Sequence, residues 1–149
     1  MEKPIYAIEK SSKGLWYEFE SVSNDRTIKK VVCYYPFKAN PDLFELSFGD
    51  LEDDGTINVF AVSNNRDMAL ILNTVIGTLD LFFELYPQKS VLFTGSSESR
   101  NRLYRAAISK ALQSSYSQKY QVLGIGYDDQ PEFFEENKNY FAFQISLKL

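Results

Sequence analysis

The chain has 149 residues, the length of one domain with a single hydrophobic core, and its aromatic fraction of 15% is that of a globular protein rather than a disordered one. It contains no histidine and one cysteine, which excludes catalysis by Ser-His-Asp or Cys-His groups, histidine-containing zinc sites and an internal disulfide. The formal net charge is −4, but residues 88–120 carry six basic side chains against one acid, which indicates either a solvated helix face or a surface for an anionic partner.

The N-terminal third of the chain has the pattern of antiparallel strands. Glu18 and Glu20 alternate with Tyr17 and Phe19, which is typical of a sheet with one solvent-facing side. An Asp-Gly pair ending at Gly55 predicts a hairpin turn between the fourth and fifth strands. The five strands predicted before the first helix cover residues 5–8, 15–22, 28–37, 43–51 and 56–62.

Residues 66–86 form the most apolar predicted helix, because apolar side chains recur there at i, i+3, i+4 and i+7. Gly77 inside this helix costs about 1 kcal/mol relative to alanine and suggests the close approach of another element. An acidic connection that contains Pro131 separates the last two strands. The elements predicted after the first helix are a strand, a second helix and two strands, at residues 90–94, 98–115, 121–125 and 140–148.

These elements predict a single α+β domain over residues 1–149, in which a mainly antiparallel sheet is packed by two principal helices, at 66–86 and 98–115. The N-terminal residues lack the apolar segment of a signal peptide, and no apolar run reaches the length of a transmembrane helix. We therefore expect a cytoplasmic protein without a membrane segment. Its oligomeric state is left open.

The segment Gly95-Ser96-Ser97 joins the strand predicted at 90–94 to the second helix. A helix N-terminus offers unpaired N–H groups and a partial positive charge, and glycine lets an anion approach the backbone. The alternative is a structural role, in which a serine caps the helix and Arg100 pairs with a nearby acid. The spacing of a P-loop is absent. An anion site is predicted from six residues: Gly95, Ser96, Ser97, Arg100, Arg102 and Tyr104.

The same stretch resembles a motif of a family of small uncharacterised bacterial proteins of nearly this length. The resemblance implies a bacterial cytosolic protein and brings no established activity with it. The motif F-x-G-S-x(3)-R-x-R-L-Y-R is carried by Phe93, Gly95, Ser96, Arg100, Arg102, Leu103, Tyr104 and Arg105.

The order of the elements is also similar to the core of the N-acetyltransferase (GNAT) superfamily, which often has an Asn and a Leu-Tyr pair where this chain has Asn101 and Leu103-Tyr104. The similarity implies acyl-CoA binding in a groove between splayed strands near residues 59–62 and 91–94, with Tyr104 as an acid. The superfamily's pyrophosphate loop is rich in glycine, whereas residues 63–67 contain none.

The hypothesis for function is a non-enzymatic binding or interaction domain, whose partner is a protein or a small anionic ligand and which uses no cofactor or metal. The alternative is an acyl-CoA-dependent N-acyltransferase-like enzyme, so whether the protein is an enzyme stays open. A net charge of −4 disfavours nucleic-acid binding. That third interpretation would use the basic residues of the second helix: Arg100, Arg102, Arg105 and Lys110.

Overall fold

The computed structural model describes residues 5–58, 67–94, 102, 105–106, 116–126, 128, 130–135 and 138–148. These residues fall into two compact units. The first unit comprises Met1–Tyr35 and Ser47–Leu85, and the second comprises Pro36–Leu46 and Tyr86–Leu149.

Strands dominate the described part of the chain. They belong to one mixed sheet, and β4 contributes its first residues to the second unit and its remainder to the first. The elements are β1 (Glu9–Lys10), β2 (Trp16–Val22), β3 (Thr27–Pro36), β4 (Leu43–Leu51), β5 (Ile57–Asn58), α1 (Met68–Leu85), β6 (Ser90–Phe93), α2 (Tyr116–Lys119), β7 (Tyr120–Ile125), β8 (Pro131–Phe133) and β9 (Ala142–Leu147).

In the first unit, β1 pairs with β2 and β2 with β3, both antiparallel, while β5 pairs antiparallel with β4. The predicted alternation along β2 is confirmed, because Tyr17 and Phe19 are buried while Glu20 is exposed. The predicted turn before β5 is also confirmed. Gly55 has a φ of 85°, and its N–H donates to the carbonyl of Glu52 at 3.0 Å.

Helix α1 packs in the core of the first unit, as its apolar periodicity predicts. Phe82 stacks on Tyr34 with ring centroids 4.4 Å apart. Two fully buried threonines extend the apolar face, and each has its hydroxyl satisfied. The hydroxyl of Thr78 donates to the Val75 carbonyl at 2.6 Å and shares a 2.7 Å hydrogen bond with the hydroxyl of Tyr34, so its burial leaves no unpaired donor.

The predicted strand at residues 5–8 is wrong, since β1 begins at Glu9. The N–H of Tyr6 donates instead to the side-chain oxygen of Thr74 on α1 at 2.9 Å. A backbone donor engaged by a helix side chain in this way is not available to a strand ladder.

In the second unit, the first residues of β4 pair in parallel with β6, and β6, β9, β7 and β8 follow in that order with antiparallel pairings. Parallel neighbours require a long crossover, and the chain between β4 and β6 includes α1. The buried side chains on one face of these strands form the core of the unit: Val91, Phe93, Val122, Phe143 and Ile145.

The predicted fold class is wrong. The described residues form a nine-stranded mixed sheet with a single long helix, not an antiparallel sheet packed by two principal helices. One reason is β8, which lies in the acidic connection that the sequence assigns to a loop. Pro131 occupies the first position of that strand, at the end of the strand order, where a missing N–H costs no ladder hydrogen bond. The second predicted helix, at 98–115, lies mostly outside the described residues.

The prediction of one domain over residues 1–149 stays a prediction, as does a cytoplasmic location. No helix in the described ranges combines the length and the apolar character needed to cross a bilayer.

Candidate functional site

The residues predicted to bind an anion are placed only in part. Arg102 is described, and it has helical backbone and an exposed side chain. The anion site therefore stays a prediction. The other five predicted residues lie outside the described part of the chain: Gly95, Ser96, Ser97, Arg100 and Tyr104.

The helix basic residue whose contacts are described, Arg105, has a structural role. Its Nη1 donates to the carbonyl of Lys138 at 2.8 Å and to Oδ1 of Asn139 at 2.6 Å. This guanidinium therefore holds the segment before β9 through hydrogen bonds at a half-buried position, and the nucleic-acid interpretation stays untested.

The groove expected of an acyltransferase is also placed only in part. Residues 59–62 and Tyr104 lie outside the described residues. On the other side, β6 pairs with β4 and with β9, so its ladders at Val91 and Leu92 are occupied on both edges.

The second unit contains a cavity of about 1090 Å³, close to the upper end of the volumes typical of small-molecule sites. We call it the strand-end cavity, because its lining comes from the turn that leads into β6 and from the neighbouring ends of β7, β8 and β9. The described lining residues are Pro87, Gln88, Lys89, Ser90, Tyr120, Gln121, Val122, Phe133, Phe134, Ser146, Leu147 and Lys148.

Strand register explains why residues so distant in sequence meet at this cavity. Tyr120 on β7 pairs with Leu147 on β9, and the N–H of Phe134 donates to the carbonyl of Val122 at 3.2 Å. The turn into β6 is fixed by the N–H of Ser90, which donates to the carbonyl of Asp42 at 2.9 Å. These backbone bonds hold four segments of the wall in a defined relationship.

Two phenylalanine rings line the strand-end cavity; one is packed against other rings and the other is exposed to solvent. Phe134 packs against Tyr140 and Phe143, with centroid distances of 5.7 and 6.1 Å. Phe133, the last residue of β8, lines the same cavity, and 73% of its surface is exposed. An exposed phenylalanine beside a cavity is apolar surface that a ligand can remove from water.

Both charged side chains in the described lining of the strand-end cavity are basic. Lys89 and Lys148 are the charged residues among its described lining. The ammonium of Lys119 lies 5.6 Å from the ring centroid of Tyr120, which is a lining residue. Nζ of Lys89 donates to Oδ1 of Asp42 at 2.7 Å.

A hydrogen-bonded group fixes the segment behind the aromatic wall. The hydroxyl of Tyr140 donates to Oε1 of Glu132 at 2.9 Å and accepts from the N–H of Glu135 at 3.0 Å. Lys138 also pairs with Glu132, at 2.5 Å. The hydrogen bonds from Lys138 and Tyr140 hold the pKa of Glu132 below its ordinary value, while burial raises the pKa of the Tyr140 hydroxyl.

Gly124 makes this arrangement possible, because its backbone lies against the ring of Tyr140. A Cβ atom at this position would come within 2.4 Å of the ring carbon Cε1. Any larger residue would displace Tyr140, and with it the ring on which Phe134 rests.

A second group of polar side chains lies in the first unit. Oδ2 of Asp67 accepts hydrogen bonds from the hydroxyls of Tyr6 and Ser21, each at 2.5 Å, while its buried Oδ1 has no partner among the described residues. Burial and the hydrogen bond to Asp67 raise the pKa of the Tyr6 hydroxyl. Asp67 also starts α1, because its carbonyl accepts from the N–H of Ile71 at 2.9 Å.

A smaller cavity of about 410 Å³ lies beside this group and is lined in part by Tyr6, Glu9, Glu18, Glu20 and Lys29. Glu9 and Glu18 are directly opposed in the β1–β2 ladder, an arrangement that repels like charges. In the described ranges, no set of three or more His, Cys, Asp or Glu side chains is placed to hold a metal ion.

Sequence reasoning missed the strand-end cavity, although part of its chemistry was visible. Lys89 and Lys119 mark the two ends of the positive segment at 88–120. Phe133 and Phe134 are adjacent aromatic residues inside an acidic connection. Two such residues in a predicted loop indicate that the segment packs against the protein or binds a ligand.

Comparison with known proteins places the chain in a family. Neither the curated proteins nor the solved structures include a significant match to this sequence. A family model matches residues 2–148, almost the whole chain. The chain therefore belongs to DUF6934, a family of unknown function.

Proposed function

We propose that this protein is a binding domain that holds a small molecule with an apolar body in the strand-end cavity. The observation that carries the proposal is the volume of this cavity together with the apolar side chains in its lining. The open cavity of about 1090 Å³ has aromatic and aliphatic side chains in its lining, among them Tyr120, Val122, Phe133, Phe134 and Leu147. Small-molecule sites are typically cavities of this size and lining.

The exposed ring of Phe133 supports a ligand in this position. A phenylalanine side chain that moves from water to an apolar contact contributes on the order of 1.5 kcal/mol or more. With 73% of its surface exposed, Phe133 has most of that contribution still to gain. The lining amides and hydroxyls of Gln121 and Ser146 add groups that orient a ligand.

The test uses the neutral dye Nile red, whose fluorescence rises in apolar surroundings, together with 1-octanol as a competitor. We expect saturable binding of one dye per chain, displaced by 1-octanol. Phe133→Ala should weaken dye binding about five- to tenfold, because it removes one apolar wall. Tyr35→Ala is the matched control, since Tyr35 is 49% exposed and lies outside the cavity lining. Absence of saturable binding to the folded wild-type chain would refute the proposal.

A further inference from the structure

We infer that the ligand of the strand-end cavity is an amphipathic anion, in which a carboxylate or phosphate group is attached to an apolar body. This inference rests on the proposed function and adds the chemical class of the ligand. It depends on the position of three lysines relative to the aromatic wall.

The charged groups in the lining have one sign. Lys89 and Lys148 line the cavity, and no acidic side chain is found among its described lining residues. Lys119 adds a third ammonium, held next to the lining ring of Tyr120. The N–H of Lys148 donates to the carbonyl of Lys119 at 3.0 Å, so these two residues are fixed beside each other.

The basic side chains at this cavity differ in sign from the net charge of the protein. The chain carries a net charge of −4, whereas three lysines lie at this cavity against Asp42, the acid paired with Lys89. A local concentration of one charge beside low-dielectric walls attracts ligands of the opposite charge. The apolar wall selects the body of the ligand, and the lysines select its head group.

The ammonium of Lys89 is paired with an acid but keeps donors for a ligand. Its ammonium donates one hydrogen bond to Asp42, whose side chain is 74% exposed and outside the cavity lining. An ammonium has three N–H donors, so an anion in the cavity can accept from Lys89 while the pair with Asp42 remains.

The experiment compares three probes with the same eight-carbon chain: 1-octanol, octanoate and octyl phosphate. By calorimetry at low ionic strength, we expect at least one of the two anions to bind ten or more times more tightly than 1-octanol. The difference should shrink as salt is added, because salt screens exposed charges. Which anion binds more tightly distinguishes a carboxylate ligand from a phosphate ligand.

Lysine variants identify the groups that bind the anion. Lys89→Met and Lys148→Met should each weaken binding of the preferred anion about three- to tenfold, because the attraction between partly exposed charges is of this order. Both variants should leave 1-octanol binding unchanged. Lys38→Met, at an exposed lysine outside the lining, should change neither. Equal affinities for 1-octanol and both anions would overturn the inference and leave the proposed function intact. Failure of all three probes to bind would overturn both.

Discussion

Nζ of Lys89 lies 2.7 Å from Oδ1 of Asp42, so a cation that lines the strand-end cavity is paired with an acid outside the lining. The pair places a negative charge near the position where we infer a bound anion. Asp42→Asn should therefore raise the affinity for octanoate by roughly two- to fivefold and leave 1-octanol binding unchanged. The cost in folding stability should stay below about 1 kcal/mol, because surface ion pairs contribute little. Calorimetry of the two ligands measures the effect, and a loss of octanoate affinity would contradict it.

The two glycines Gly77 and Gly49 should respond in opposite ways to alanine. In α1, a Cβ on Gly77 would meet only the side chain of Ile5, at an ordinary contact distance of 3.6 Å. Gly77→Ala should therefore stabilise the protein by up to about 1 kcal/mol through helix propensity. A Cβ on Gly49 would lie 2.4 Å from the carbonyl oxygen of Asn58, so Gly49→Ala should destabilise by about 1–3 kcal/mol. Urea unfolding compares the two variants, and a destabilised Gly77→Ala protein would contradict this account of the space around Gly77.

A buried ion pair joins β3 to β4 in the first unit. Lys30 is 4% exposed, its ammonium pairs with the carboxylate of Asp50, and it lies 5.9 Å from the ring centroid of Phe48. Asp50→Asn leaves a buried ammonium without its counter-charge and should cost on the order of 3 kcal/mol. The double variant Lys30→Met/Asp50→Asn should recover part of that loss, because it removes the buried charge as well. Chemical unfolding of both proteins gives the comparison, and an equally or more unstable double variant would argue against this reason for the cost.

The hydrogen bonds around Glu132 should make the second unit sensitive to acid. Lys138 and Tyr140 lower the pKa of Glu132 in the folded chain relative to its ordinary value of 4.5. A group with a lowered folded pKa stabilises the protein above the ordinary value, and this contribution is lost as the pH falls through the folded pKa. The difference in Tm between wild type and Glu132→Gln should therefore be largest near pH 6 and shrink toward pH 3. A difference that stays constant over that range would show that Glu132 does not act through its charge.

The sequence predicted the elements that have a strong local pattern. The bounds of β4 agree with the prediction, because Phe44 and Leu46 alternate with polar neighbours, and α1 follows its apolar period closely. Strand β8 was missed, because its three residues include Pro131 and Glu132 and lie within an acidic segment. A strand this short is specified by its pairing with β7, which no local pattern shows.

The candidate site was harder to predict than the elements, for a related reason. The lining brings together Lys89, Val122, Phe133 and Leu147 from four separate segments, and only the register of the sheet makes them neighbours. A sequence pattern reveals sites whose groups are close along the chain. For that reason the predicted anion site is the Gly95-Ser96-Ser97 segment. Residues 88–120 carry an excess of basic side chains, and Lys89 and Lys119, near the two ends of that segment, lie at the strand-end cavity.

The most direct test of the binding proposal is to observe where an alkyl chain sits. Isotope-filtered NMR on labelled protein saturated with whichever of octanoate and octyl phosphate binds more tightly reports intermolecular NOEs from the alkyl protons. We expect these NOEs at the rings of Tyr120, Phe133 and Phe134 and at the methyl groups of Val122 and Leu147, which together form the apolar wall. NOEs that fall on other residues, or none from a saturated sample, would contradict the assignment of the strand-end cavity as the ligand site.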